Sequence, residues 1–235
     1  MAVLPLFLFA FWLWFLYNGV MKKSTKALIW GASAVVFTLA LNIIDVKTVE
    51  RTNTRVGMAT VNQAVFDFMG VNPIWETVTN ILIVILAAVM AAVVIWLFVK
   101  RFGAKKAESK RIAVGIASAF ITAGAVLMLY FVFKNMIVVN YRPILVDGKV
   151  EASFPSLHTL GAVAFAFVEA SLISKNTKNK TLRLAANTLL PTMAAMVGLG
   201  RVAAGMHWTT DVIGAVLYGM TLVSAYELLI ENKYE

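Results

Sequence analysis

The chain has 235 residues, of which 60% are apolar and 14% charged, with a formal net charge of +9 and no cysteine. A soluble domain averages about half apolar and about a quarter charged, so the excess is too large for a core that water must surround. The lack of cysteine excludes disulfides, thiolate metal sites and cysteine nucleophiles, and two histidines, His158 and His207, are too few for a cluster of several histidine ligands.

Runs of about 20 apolar residues match the hydrocarbon thickness of a bilayer. Seven such runs follow one another, at about 2–20, 27–45, 79–99, 112–138, 158–174, 184–200 and 208–230. The fold class is therefore all-α, a polytopic bundle of membrane helices. No basic residue precedes the first run and no small-residue cleavage site follows it, whereas Lys22 and Lys23 flank its far end. That run reads as a retained helix rather than a signal peptide. Residues 46–78 are more polar: Met58, Val61, Val65, Phe68 and Met69 recur at helical spacing, with Asn62, Gln63 and Asp67 on other faces. The pattern suits a helix lying in the membrane interface, and equally a helix packed on top of the bundle. No internal repeat, low-complexity tract or linker marks a second domain.

The positive charge serves as a marker of side, and nucleic acid is not an expected partner. Lys22, Lys23 and Lys26 follow the first run; Lys100, Arg101, Lys105, Lys106, Lys110 and Arg111 lie between the third and fourth; Lys175, Lys178, Lys180 and Arg183 lie between the fifth and sixth. All fall on one side, which retention of Lys and Arg makes cytoplasmic. Asn179-Lys180-Thr181 has the form of a glycosylation sequon but sits on that side, and is discounted. The segment at about 46–78 and both histidines are then extracytoplasmic.

Three polar clusters converge on that outer level. Lys134 is followed by Tyr141-Arg142-Pro143; Phe154-Pro155-Ser156-Leu157-His158 opens the fifth run; Gly200-Arg201 and His207-Trp208-Thr209-Thr210-Asp211 span the turn between the sixth and seventh. Taken singly, each has an ordinary explanation: Lys134 could snorkel to the interface, and a histidine at a helix end is often an anchor. Together they make a chemical set. Ionisable residues at membrane depth are costly and by default mark function. Arg142 and Arg201 offer planar forks suited to phosphate oxygens. Pro155-Ser156 starts a helix, with Ser156 as N-cap, and the free N–H groups there favour an anion. On a helix, Asp211 would share a face with His207. Its carboxylate can hold one imidazole nitrogen and leave the other nucleophilic. His158, on a different helix, is then free to protonate a leaving alkoxide.

Arg142-Pro143, Pro155-Ser156-x-His158 and Arg201-x5-His207-x3-Asp211 together resemble the three-part signature of the type-2 phosphatidic acid phosphatase (PAP2) superfamily, bacterial membrane lipid phosphatase branch. The resemblance covers roughly residues 27–230. It implies a six-helix phosphatase core, with residues 1–26 an additional N-terminal transmembrane helix and 27–235 the membrane-embedded phosphatase domain. It implies His207 as the nucleophile that attacks phosphorus, Asp211 as its support and His158 as the acid. Lys134, Arg142, Arg201 and Ser156 would hold the phosphoryl oxygens, with no metal or other cofactor. The sequence departs from the family pattern at three places. Seven residues rather than six separate Lys134 from Arg142, which puts Asn135 at the matching position and turns the lysine by about 100° on a continuous helix. Leu157 stands where Gly is usual, and Gly200 where Ser is usual.

The resemblance thus implies a phosphatase of a bacterial plasma membrane, acting on a lipid partner in the outer leaflet such as undecaprenyl pyrophosphate, phosphatidylglycerol phosphate or phosphatidate. Two alternatives stand beside it. A lipid phosphotransferase would use the same nucleophile with a lipid or sugar acceptor, and a non-catalytic protein would merely bind lipid phosphate.

Overall fold

A computed structural model describes residues 22–234. In chain order the elements are α1 (Lys23–Leu41), β1 (Lys47–Val49), β2 (Thr54–Val56), α2 (Ala59–Met69), α3 (Ile74–Gly103), α4 (Lys106–Asn135), α5 (Leu157–Asn176), α6 (Lys180–Ala203) and α7 (Thr209–Tyr234). Among the described residues six helices, all but α2, are long and apolar enough to cross a membrane. They coincide with the six apolar runs expected from residue 27 onward, and the expected first helix at about 2–20 lies outside the described residues. Several helices outrun their apolar stretches. α3 and α4 have 30 residues each, about 45 Å at the usual rise, against about 30 Å of hydrocarbon. Hydropathy reports only the part that lipid touches, whereas backbone hydrogen bonding carries each helix on through Lys100, Arg101, Lys106 and Glu108.

The bundle is organised around α5. Its apolar window is 67% buried, against 17–44% for the other five. Gly161, Ala162, Ala164, Ala166 and Ala170 explain this, because small side chains let neighbouring backbones approach closely. α3, α4, α6 and α7 surround α5, and α1 packs against α7. There Trp30 and Ala34 join the core, and Thr38 Oγ1 meets the Tyr218 hydroxyl at 3.0 Å. Val84, Ile95 and Phe98 on α3, and Phe120, Leu127 and Phe131 on α4, face outward, where a bilayer rather than water suits them.

Between α1 and α3 the polar segment folds over one end of the bundle. β1 and β2 form an antiparallel hairpin, Thr48 facing Arg55, which period-2 patterning over three residues is too short to signal. Asp45 starts α2 from outside it. Its carboxylate accepts from the Thr60 N–H at 2.7 Å and pairs with Lys47 at 2.9 Å. The Lys47 hydrogen bond, followed by that of Thr60, holds this carboxyl down at about 2. α2 buries Ala59, Asn62 and Phe66 and exposes Val61 and Phe68. The helix is thus packed on the bundle by its Asn62 face, with an apolar face left outward for an interface. Val56, Phe66 and Trp208 form a small apolar cluster there, the rings of Phe66 and Trp208 lying 5.6 Å apart. Hairpin, α2 and the start of α7 therefore pack as one layer.

Candidate active site

The same end of the bundle collects every candidate residue, because α4 and α6 finish there while α5 and α7 begin. The segment after α4 folds into a short ladder in which Tyr141 bridges Ala152. The Arg142 N–H donates to the Glu151 carbonyl at 2.9 Å. Its turn, Asp147-Gly148, has φ of 48° and 72°, the left-handed pair that a tight hairpin needs. That Asp-Gly dipeptide is the sequence signal by which this ladder could have been found. Arg142 and Glu151 thereby stand opposite each other, with Arg142 Nε 3.1 Å from Glu151 Oε2. Arg142 Nη1 also donates to the Met206 carbonyl at 3.4 Å.

The surplus residue between Lys134 and Arg142 is taken up beyond the lysine. At the end of α4 the Val132 carbonyl accepts from both Met136 N at 2.8 Å and Ile137 N at 2.9 Å, a widened last turn. Lys134 remains on the helix, exposed, with Nζ donating to the Tyr130 hydroxyl one turn back at 2.9 Å. Ser156 caps α5, its Oγ accepting from the Thr159 N–H at 3.5 Å and the Thr159 hydroxyl at 3.1 Å. The N–H groups of Leu157 and His158, in the first turn, have no acceptor within their helix.

α6 ends on a reversal that delivers His207. The Gly205 N–H donates to the Val202 carbonyl at 2.9 Å and the Met206 N–H to the Arg201 carbonyl at 3.2 Å. With Gly205 at φ 68°, this is a Schellman cap. His207 therefore precedes α7 instead of riding on it, a correction to the shared helical face expected from the spacing. The pair still meets: Nδ1 of His207 is 3.6 Å from Oδ2 of Asp211. Asp211 is fully buried. Its Oδ2 also accepts from the Trp208 N–H at 3.0 Å, the return half of a capping box.

Lys134, Arg142, His158 and His207 line a single cleft of about 60 Å³, together with Tyr130, Leu157 and the 152–155 stretch. Ser156, Asp211 and Arg201 are buried around this cleft. Arg201 reaches α3, Nη1 donating to Thr79 Oγ1 at 3.4 Å and to Asn80 Oδ1 at 3.5 Å. Its buried Nε meets no hydrogen-bond acceptor among the described residues. A buried guanidinium nitrogen left unpaired is costly, and an anion's oxygen is the group that would relieve it. Burial pushes the His207 imidazole down to about 4; the Asp211 carboxylate opposes this, while Arg142 and Arg201 add to it. A neutral imidazole with its Nδ1 turned to a carboxylate leaves Nε2 with a free electron pair.

All seven residues singled out in the sequence thus lie at or directly behind one cleft. Sequence reasoning missed Glu151, Tyr130, Asn140 and Asn62, polar residues of ordinary-looking loops and helix faces whose importance comes only from what they touch.

The architecture and this histidine pair define a multi-pass membrane protein with a two-histidine, two-arginine polar site at one end of its bundle. Residues 130–234, from the last turns of α4 through α7, match the profile of the PAP2 superfamily. No curated protein matches the chain. Its fold is similar to that in a crystal structure of a transmembrane PAP2 type phosphatidylglycerolphosphate phosphatase from Bacillus subtilis, with a TM-score of 0.61 and 18% identity, covering 88% of this chain and 96% of that one. The six candidate membrane spans among the described residues accord with that likeness in fold.

Proposed function

We propose that the chain is a lipid phosphatase that works through a phosphohistidine on His207. The observation that carries this reading is the placement of His207 on a cleft shared with His158, Arg142 and Lys134, with the Asp211 carboxylate buried behind it. Nε2 of His207 attacks phosphorus as the bond to the lipid oxygen breaks. His158 gives its proton to that oxygen and later takes one from the water that cleaves the P–N bond. Lys134, Arg142 and Arg201 balance the charge spread over the phosphoryl oxygens, and the start of α5 adds backbone N–H groups. No metal is assigned a part. Undecaprenyl pyrophosphate, phosphatidylglycerol phosphate and phosphatidate each present a phosphoryl group above a hydrocarbon tail. The basic loops at the opposite end of the bundle support an extracytoplasmic site in a bacterial plasma membrane.

Purified protein in lipid nanodiscs, given each of these three lipids, is expected to release inorganic phosphate, with His207→Ala as the blank. Equal release by that variant would sink the mechanism. A second reading, transfer to an alcohol or phosphate acceptor instead of water, is favoured by Leu157, an apolar residue lining the cleft beside His158 where the PAP2 pattern usually has Gly. Phosphorylated acceptor appearing in place of free phosphate would establish it.

A further inference from the structure

The carboxylate behind His207 is itself held by residues that lie outside the three motifs. Asn140, fully buried, donates from Nδ2 to Asp211 Oδ1 at 3.1 Å and to Thr210 Oγ1 at 3.3 Å. Its Oδ1 accepts from the Gly57 N–H at 3.1 Å. Those partners fix which way the amide points: a backbone N–H demands the oxygen, and an ionised carboxylate, which only accepts, demands the nitrogen. Asn62, exposed by only 1%, repeats the arrangement on the other side. Its Nδ2 donates to the Gly57 carbonyl at 2.9 Å and to Thr210 Oγ1 at 2.8 Å, and its Oδ1 accepts from the Thr210 N–H at 3.2 Å. Two asparagines, one from α2 and one from the ladder after α4, thus converge on Gly57 at one end and on the first turn of α7 at the other.

We propose that Asn140 is a positioning residue for Asp211, braced by Gly57 and Asn62, so that the segment before the matched domain forms part of the catalytic support. The inference rests on the reading of His207 as nucleophile. With Oδ1 fixed by Asn140, rotation of the carboxylate is blocked and Oδ2 stays turned toward Nδ1 of His207 and the Trp208 N–H. Without that bond the carboxylate side chain is held by the Trp208 N–H alone among the described residues, and Nδ1 of His207, 3.6 Å away, loses the fixed negative charge that favours its protonated tautomer. Asn140 is assigned no contact with substrate; its effect therefore falls on the chemical step and leaves phosphate binding alone.

The test uses the full chain in nanodiscs with phosphatidylglycerol phosphate, comparing wild type, Asn140→Ala, Asn140→Asp, Asp211→Asn and His207→Ala. Asn140→Asp keeps the volume and the acceptor for Gly57 but removes the donor to Asp211. Both Asn140 variants are expected to lose about 10- to 100-fold in kcat, the scale of a small misplacement of a catalytic group, with KM changed less than about twofold. The chain's two histidines make a second readout simple. Protein labelled with ¹⁵N-histidine is expected to show His207 as the Nδ1–H tautomer in wild type and as a tautomer mixture in Asn140→Ala. Unchanged kcat and tautomer in folded variants would overturn the inference, as would recovery of neither variant as folded protein, which would make Asn140 architectural. Activity surviving in His207→Ala would instead overturn the phosphatase reading itself.

Discussion

Gly200 lies so close to α3 that a Cβ at its position would come within 2.5 Å of Thr79 Cγ2 and 2.9 Å of Trp75 Cε3. The same approach brings Thr79 to Arg201, one residue on. A side chain at position 200, such as the serine usual in the PAP2 pattern, would therefore collide with Thr79 and Trp75 of α3. Gly200→Ser, which restores the family residue, is expected to destabilise the protein by about 1–3 kcal/mol through overpacking. It should also weaken phosphate binding by displacing Thr79 from Arg201. Thermal unfolding in detergent and KM for lipid phosphate check the two parts.

Asp211→Asn keeps the shape and the Trp208 contact but removes the charge that steadies the phosphoimidazolium formed as Nε2 attacks phosphorus. A fall in kcat of about 10²–10⁴ is expected, the range in which an aspartate supporting a catalytic histidine acts. Quenched labelling with ³²P-lipid should show slower build-up of phosphoenzyme, with KM little altered.

The acidity of His207 predicts where activity fails. If His207 is the nucleophile it must be neutral to attack, and burial holds it at about 4, below the usual value of 6.5. Phosphoenzyme formation should therefore persist at pH 5, where an ordinary histidine is mostly protonated, and fall away as pH drops through about 4. Stability follows the same sign: the unfolded chain takes up the proton first. Folding free energy is thus undiminished above about 6.5 and declines as pH falls toward about 4. Stopped single-turnover assays and unfolding across pH 3.5–7 would show it; an acid limb centred near 6.5 would contradict it.

Glu151 opposes Arg142 at 3.1 Å and is partly open to solvent. A carboxylate there competes with an incoming phosphate for the same guanidinium. Glu151→Gln is expected to lower KM about 2- to 5-fold, in keeping with the modest strength of partly exposed pairs, with kcat nearly unchanged. A raised KM would show that Glu151 orients Arg142 instead.

If lysine and arginines alone balance the phosphoryl charge, dialysis against EDTA should leave kcat/KM within about twofold. Recovery of lost activity by added Mg²⁺ would transfer the charge-balancing part from Arg142 and Arg201 to a metal.

The spans were legible because a bilayer demands length and apolarity of one segment at a time, with no knowledge of its neighbours. The motif residues were legible for a related reason: His158, Arg201 and His207 are chemically conspicuous in so apolar a chain. Asn62 shows where this stops. Its helix carries Val61 and Phe68 on one face and Asn62 on another, which reads as polar outward, yet Asn62 is buried and Val61 exposed. Only the partner across the gap, Thr210, makes an inward asparagine favourable, and that partner is 148 positions away. Gly200 is similar: its value depends on Trp75 and Thr79 of another helix.

The shielding of α5 has a mechanical consequence. When a bilayer thickens or thins, helices in contact with lipid respond by tilting. α5 touches mostly protein, so Ser156 and His158 at its end are expected to keep their height where α3 and α4 tilt. Hydrophobic mismatch should therefore appear as a change in how readily a lipid enters, with the rate of phosphorus–oxygen cleavage preserved across membranes of different thickness.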